Sequence, residues 1–311
     1  MRSVNVLLLG ESGVGKELFA QAIHRASGRP GKFVAVNCGA IPSELFESEL
    51  FGAVKGAFTG CTKDRTGYFD EANEGTLFLD EIGTLASHQQ AKLLRVIGTA
   101  DKAQGPTLLQ KSRVGAPDER QRVDVRIVSA TNRDLETSDD TGAFRNDLFH
   151  RLNTFPIRIP PLRERKSDLP LIAEHLIESI NEDAFRTEPN YNPRILSSGA
   201  LRRLRQHDWR GNVRELHAVL SRALIMSATA EVSRQEIDEE ILQIERKPKS
   251  DVLSRTREAG FALCKRLEQI ERAFIEDVLE EAEGVQTKAA KLLGDKPSTL
   301  NQRIKRLGIT P

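Results

Sequence analysis

The apolar run VNVLLL at residues 4–9 passes directly into GESGVGK at residues 10–16, and KELFAQAIHRA at residues 16–26 continues with a helical apolar pattern. Strand, glycine-rich turn and helix in that order leave few folds open. The glycines let backbone N–H groups converge on an anion at the helix N-terminus. Gly10, Glu11, Ser12, Gly13, Val14 and Gly15 are therefore expected to cradle phosphate oxygens, with Lys16 adding a positive charge. Four further apolar runs follow, FVAVN, TLFLD, VRIVSATN and TFPIRI, and the helical pattern SHQQAKLLRVI separates the second from the third. Unbroken apolar strands alternating with helices predict a parallel sheet covered on both faces, an α/β domain over residues 1–160.

The strand TLFLD and the residue after it put Asp80 and Glu81 at the C-terminal edge of that sheet, where ligands bind in open α/β folds. Asp80 is expected to hold Mg²⁺ through water, and Glu81 to orient or deprotonate an attacking water. With Lys16 the pair makes the pattern of a nucleoside triphosphate hydrolysis site. Glu17 stands where a Ser or Thr would offer a hydroxyl to Mg²⁺, which moves metal ligation onto other groups. Thr131 and Asn132 end VRIVSATN at the same edge, placed to touch a γ-phosphate or its water.

Residues 161–244 change to helices alone, with DLPLIAEHLIESIN, SSGALRRLRQH and NVRELHAVLSRALIM, and predict a small helical lid subdomain. A Ser or an Asn is expected to start the last two. The charged, proline-bearing stretch ERKPKSD opens a linker over residues 245–260. Residues 261–311 read as a small all-α domain of three helices, with breaks at Gly284 and at Gly294 to Pro297, in the spacing of a helix-turn-helix. Pro297 would open the recognition helix, with Ser298, Thr299, Asn301, Gln302 and Arg303 toward the major groove. Lys296, Arg303, Lys305 and Arg306 suit the DNA backbone.

Net charge over the whole chain is +1 and predicts no partner. Locally, residues 285–311 hold six bases against Asp295, a net +5, while residues 268–283 hold seven acids against Arg272, a net −6. A basic terminal face supports nucleic-acid binding. Cys38, Cys61 and Cys264 are odd in number and widely spaced, and the six histidines show no metal-ligand spacing, so neither a disulfide framework nor a zinc site is expected. The run at residues 4–9 is far too short to cross a bilayer, which predicts a cytoplasmic chain without a membrane partner.

The stretches GESGVGKELFAQAIH, VNCGAIPSELFESELFGAVKGAFTG, GTLFLDEIG, ATNRDL, FRNDLFHRLNTFPIRIPPLRERKSDL and WRGNVREL run in order across residues 4–224. They closely resemble the AAA+ transcription activators of sigma-54 RNA polymerase, the bacterial enhancer-binding proteins. GAFTG together with ESELFG is the most specific part. The C-terminal module resembles the Fis-type DNA-binding domain that ends many of these activators.

The resemblance implies an ATP- and Mg²⁺-dependent ATPase that acts as a homo-oligomeric ring, expected to be a hexamer, on sigma-54 RNA polymerase while bound to double-stranded DNA. It implies that Gly56, Ala57, Phe58, Thr59, Gly60 and Cys61 form a loop that touches the sigma factor, with Cys61 where the family usually has alanine. Asn37 matches the residue that holds the catalytic glutamate inactive until the partner is engaged. Arg145 and Arg151 match arginines that reach into a neighbouring subunit's ATP, and Arg214 matches the lid arginine that senses the γ-phosphate. Family ATPase domains usually begin upstream of the first strand with a segment that helps hold the adenine, so an effect on nucleotide affinity is expected. Residues 97–122 are longer and more polar than the usual connection, and are expected to alter partner contact or to form a flexible surface loop. An AAA+ protein-remodelling chaperone and an ATP-binding DNA regulator with little turnover are the alternative readings.

Overall fold

The computed structural model describes residues 4–98, 107–133, 135, 144–188, 191–246, 271–272, 275, 278–279, 282, 285–294 and 297–307. Five strands form one parallel sheet: β1 (Val6–Leu9), β2 (Phe33–Asn37), β3 (Thr76–Asp80), β6 (Arg126–Thr131) and β7 (Phe155–Arg158), in the order β2-β3-β6-β1-β7. These are the five apolar runs of the sequence. Their side chains sort by alternation. Leu7, Leu77, Leu79 and Ile127 enter a core on one face, and Val6, Leu8, Phe78, Val128 and Ala130 enter a second core on the other. With both faces covered, the inner strands β1 and β3 are almost wholly apolar, while β6 also buries Arg126 and Ser129 and the edge strand β7 stays largely exposed. Register aligns Leu9 with Thr131 and Asn37 with Asp80, so the strand ends gather at one edge.

Helix α1 (Lys16–Ser27) follows β1, and α2 (Phe46–Phe51), α3 (Tyr68–Glu71), α4 (Ser87–Ile97) and α5 (Asn146–Leu152) complete the core. The polar connection at residues 97–122 differs from the expectation. Its described part forms an antiparallel hairpin, β4 (Leu108–Arg113) with β5 (Ala116–Asp124). Strand alternation is present in β4 but disguised, because Leu109 and Lys111 are its buried positions and one of them is a lysine.

The lid comprises α6 (Leu169–Thr187), β8 (Ile195–Leu196), α7 (Ser198–Gln206), α8 (Asn212–Met226), β9 (Glu231–Val232) and α9 (Arg234–Arg246), around a core that holds Trp209. Ser197 caps α7 by accepting from Ala200 N at 3.1 Å, as the sequence suggests. Asn212 opens α8 as the sequence suggests, with a left-handed backbone at φ 56°, and its side chain bonds outside the helix instead of capping it. Helix α9 goes beyond the expected helices, and it takes in the first two residues of the expected linker; the rest of that linker lies outside the described residues.

Residues 1–244 and 245–311 are separate compact units. In the second, α10 (Gln286–Leu292) and α11 (Pro297–Leu307) pack Ala289, Ala290, Leu300 and Ile304 against Ile275, Leu279 and Ala282. Gly294 makes the turn between them with φ 67°. Lys296 and most of the expected first terminal helix lie outside the described residues, and Lys305 is described in its backbone alone.

Candidate functional site

The loop between β1 and α1 owes its shape to Gly13 (φ 79°) and Gly15 (φ 96°), conformations that cost a side-chain-bearing residue. Gly13 is further constrained by contact: a Cβ there would lie 2.4 Å from Gly211 O. Gly10 N donates to Thr131 O at 3.2 Å, tying the loop's start to β6. Lys16 Nζ turns back and donates to Gly10 O and Glu11 O, both at 3.0 Å. Partial burial pushes the Lys16 ammonium below its ordinary pKa, with Asp80 and Glu81 pulling the other way and Arg214 adding to the depression.

A cleft of about 360 Å³ opens beside this loop. Ser12, Gly13, Gly15, Lys16, Glu17, Asp80, Glu81 and Asn132 line it from the core, and Val213, Arg214 and His217 from the lid. Asp80 Oδ1 accepts from Glu81 N at 2.8 Å. Glu81 sits at φ 54°, left-handed for a residue with a side chain, and its carbonyl is held by Thr84 N at 2.9 Å and Thr84 Oγ1 at 2.8 Å. Such strain persists where surrounding contacts fix the backbone. Asn37 Oδ1 accepts from Gly39 N at 2.8 Å. A Cβ on Gly39 would lie 2.7 Å from Glu81 Oε2 and 3.3 Å from Asn37 Oδ1, so this glycine leaves the carboxylate and the amide close together. Burial pushes the neighbouring Cys38 thiol up to about 12, which makes it an inert packing group.

Thr131 is placed differently from the expectation. It is buried at the end of β6, its Oγ1 accepts from Arg133 N at 3.0 Å, and it does not line the cleft, whereas Asn132 does. Strand alternation turns one residue into the sheet and the next out of it. Arg145 and Arg151 lie at the two ends of α5 and are exposed, outside the cleft of their own chain. Arg145 Nε and Nη2 donate to Asp147 Oδ1 and Oδ2 at 3.0 and 2.8 Å, the local ion pair that its spacing allows.

Three residues missed from the sequence lace the phosphate loop to the lid. Arg163 donates to both Glu11 oxygens at 2.9 and 2.5 Å. Asn212 Nδ2 donates to Glu11 Oε2 at 3.0 Å and Ser12 O at 3.1 Å, and its Oδ1 accepts from Leu162 N at 2.8 Å. Arg165 Nη2 donates to Val14 O at 2.8 Å. Val213 N and Arg214 Nη1 add bonds to Gly13 O at 3.0 Å and Ser12 Oγ at 2.9 Å, so every residue from Glu11 to Val14 is held. The Arg163 hydrogen bonds, then that from Asn212, lower the Glu11 carboxyl to about 2. The only sequence signal for Asn212 is the Gly-Asn pair at 211–212, since asparagine tolerates a left-handed backbone.

The GAFTG loop rises between α2 and α3. Gly56 (φ 83°) and Gly60 (φ 92°) take left-handed turns with open space around them, and Phe58, Thr59 and Gly60 are exposed. Ala57 is half-buried beside Gly115 of the hairpin turn. Cys61 departs from the expected contact surface: it is 6% exposed, and its thiol donates to Val54 O at 3.3 Å and Lys63 O at 3.4 Å inside the loop. The loop's roots are firmly held. Val54 N donates to Val114 O, and Val114 N to Gly52 O, at 3.0 and 2.9 Å. Lys111, with no exposed side-chain surface, donates to Phe51 O and Asp70 Oδ2, both at 2.8 Å, and to Gln121 Oε1 at 3.3 Å.

On α11, Ser298, Asn301, Gln302 and Arg306 are exposed, with Thr299 and Arg303 half-buried. Arg303 and Arg306 are both paired with Glu271.

Comparison with known proteins finds three family models in chain order. Residues 1–158 match the sigma-54 interaction domain, residues 163–253 the AAA+ ATPase lid domain, and residues 266–307 the bacterial regulatory protein Fis family. The Nif-specific regulatory protein of Azotobacter vinelandii is 46% identical over 305 residues, covering 98% of this chain and 54% of the relative. Regulatory protein AtoC of Escherichia coli (strain K12) is 38% identical over 314 residues, covering 100% of this chain and 64% of the relative. The chain thus spans little more than half to about two thirds of these relatives' lengths. The crystal structure of NtrX from Brucella abortus in complex with ATP superposes with TM-score 0.67 at 31% identity, over 99% of this chain and 64% of that chain. Among the described residues no helix is long and apolar enough to cross a membrane. With a phosphate loop, a GAFTG loop, a helical lid and a Fis-type module in the matching order, the chain belongs to the family of sigma-54 enhancer-binding proteins.

Proposed function

We propose that this chain is an ATPase that works in a ring of subunits, expected to be a hexamer, to remodel sigma-54 RNA polymerase at promoters while bound to double-stranded DNA. The observation that carries the reading is the cleft in which Lys16, Asp80, Glu81, Asn132 and the lid's Arg214 converge beside the phosphate loop. Lys16 would exchange its two carbonyl acceptors for phosphate oxygens, and the N–H groups opening α1 would take the same anion. Asp80 fits a water-mediated Mg²⁺ ligand, and the metal would offset charge on the β- and γ-phosphates. Glu81 accepts a proton from water as the water oxygen attacks the γ-phosphorus and the bond to ADP breaks. Asn132 and Arg214 are placed to touch the γ-phosphate, so its loss would be felt in the lid.

Arg145 and Arg151 lie outside their own cleft, which supports a role in a neighbour's site, where a guanidinium stabilises charge developing on the transferred group. Arg145 would have to leave Asp147 to do so. Phe58 and Thr59 supply the presented contact, and their exposure on left-handed glycine turns supports a surface offered to a partner. Crystal structures of NtrX from Brucella abortus hold ATP and ADP, in keeping with the nucleotide proposed here.

The test is steady-state ATP hydrolysis against protein concentration, with Lys16→Ala as the control. Activity per subunit that rises with concentration supports a site completed between subunits. Activity no higher than the control at every concentration overturns the ATPase reading.

A further inference from the structure

Among the described residues, the acidic block at residues 268–283 and the basic block at residues 285–311 are joined at the Glu271 carboxylate. Glu271 Oε2 lies 2.5 Å from Arg306 Nη2, and Oε1 lies 3.5 Å from Arg303 Nε. The two arginines stand three residues apart on α11, next to the buried Leu300 and Ile304, while Ser298, Asn301 and Gln302 are exposed on the same helix. The Glu271 side chain is 27% exposed, against 43% for Arg303 and 59% for Arg306.

Ion pairs this exposed contribute little to stability, so holding the fold is not what this one decides. Its consequence lies in which anion the guanidiniums hold. A carboxylate and a phosphate are bound by the same fork of N–H donors. The nitrogens turned toward Glu271, Arg306 Nη2 and Arg303 Nε, are not available to a DNA phosphate unless those contacts open. One negative charge shared between two positive ones offsets half of their attraction for the DNA backbone.

We infer that Glu271 is an intramolecular competitor of the DNA backbone, holding Arg303 and Arg306 back from phosphate. The inference rests on the DNA-binding reading of the terminal module and adds a regulation to it. Phosphate attraction is the same for every sequence, whereas Ser298, Asn301 and Gln302 carry the groups suited to base edges. Restraining the first while leaving the second raises the ratio of specific to non-specific binding, the quantity that decides occupancy among many competing sites.

The test uses the full chain and a duplex of arbitrary sequence, with affinity measured from about 50 to 200 mM salt. Glu271→Gln keeps the side-chain shape and removes the charge. The slope of log affinity against log salt is expected to steepen by about 1–2, since each additional phosphate neutralised contributes about 0.9. Affinity near 0.1 M salt is expected to rise about eightfold per phosphate, which is the same slope read at tenfold dilution from 1 M. Adding Arg306→Gln to Glu271→Gln should take back at least about half of that steepening, a reversal that loosening of the fold would not produce. A thermal melt confirms that both variants fold. Unchanged affinity and slope in Glu271→Gln overturn the competition, and weaker binding overturns it too, by showing that the carboxylate orients the arginines for DNA. If wild type and Glu271→Gln both fail to bind DNA at the lowest salt, the DNA-binding reading falls, and this inference with it.

Discussion

The chain has two glycine-rich loops, and they use glycine for opposite reasons. In the phosphate loop, Gly13 is left-handed and also pressed against Gly211 O, and each residue from Glu11 to Val14 is bonded to the lid or to the turn before it. In the GAFTG loop, Gly56 and Gly60 are equally left-handed, but a Cβ on either would meet nothing within 4 Å. The first loop has its shape imposed from outside, so any movement of the lid would be transmitted to it. The second is shaped by its own backbone at the tip and held from outside only at the roots. A receptor must not yield before its ligand arrives, whereas a presented loop must be free to change its aim.

The largest effect should come from the root of the presented loop. Lys111→Met leaves Asp70 and Phe51 O without their buried cation, and breaking such a pair costs about 3–5 kcal/mol. Chemical denaturation measures it, and a loss below about 1 kcal/mol would show that the root is held no better than the tip. The receptor comes next. Gly13→Ala meets both the backbone strain and the Gly211 carbonyl, so the variant should lose the stabilisation by ATP, about 2.7 kcal/mol at a hundredfold excess over Kd, in a thermal-shift titration. Gly56→Ala meets the strain alone and should cost about 1–2 kcal/mol. ATP turnover should stay at the wild-type rate while activation of sigma-54 polymerase falls. Equal loss of turnover in the Gly13 and Gly56 variants would erase the distinction between the loops.

The smallest effect is electrostatic. Glu11 has its carboxyl lowered from 4.5 to about 2 in the folded chain by Arg163 and Asn212. Its contribution is therefore complete above about pH 4.5 and disappears as pH falls toward 2. Because the pair with Arg163 is substantially exposed, the contribution should stay under about 1 kcal/mol. Comparing the acid limb of the stability curve in wild type and Glu11→Gln isolates it, and identical limbs would remove Glu11 from the lacing.

What can be read from sequence follows from where the determinants lie. The inner strands are legible because burial on both faces leaves nearly unbroken apolar runs, as in Thr76–Asp80. The hairpin is not, because Lys111 occupies an inward position, and only tertiary partners make a buried lysine tolerable. Lys16, Asp80, Glu81 and Asn132 come from local motifs, and the structure gathers them in one cleft. Arg163, Arg165 and Asn212 act on residues about 150 or 200 positions away, a relation that no local pattern carries. Thr131 and Cys61 are misplaced for a smaller reason: adjacent residues at a strand end or loop base point opposite ways.

The inward turn of Cys61 gives the loop a built-in clock. Its sulfur is covered while the thiol lies against Val54 O and Lys63 O, and Cys38 is covered with its thiolate suppressed. In a Cys264→Ser background, alkylation of Cys61 can proceed only as fast as the loop opens. The rate of thiol capture, followed through a hydrolytic cycle, would then time the opening of the GAFTG loop with no label added to the surface it presents.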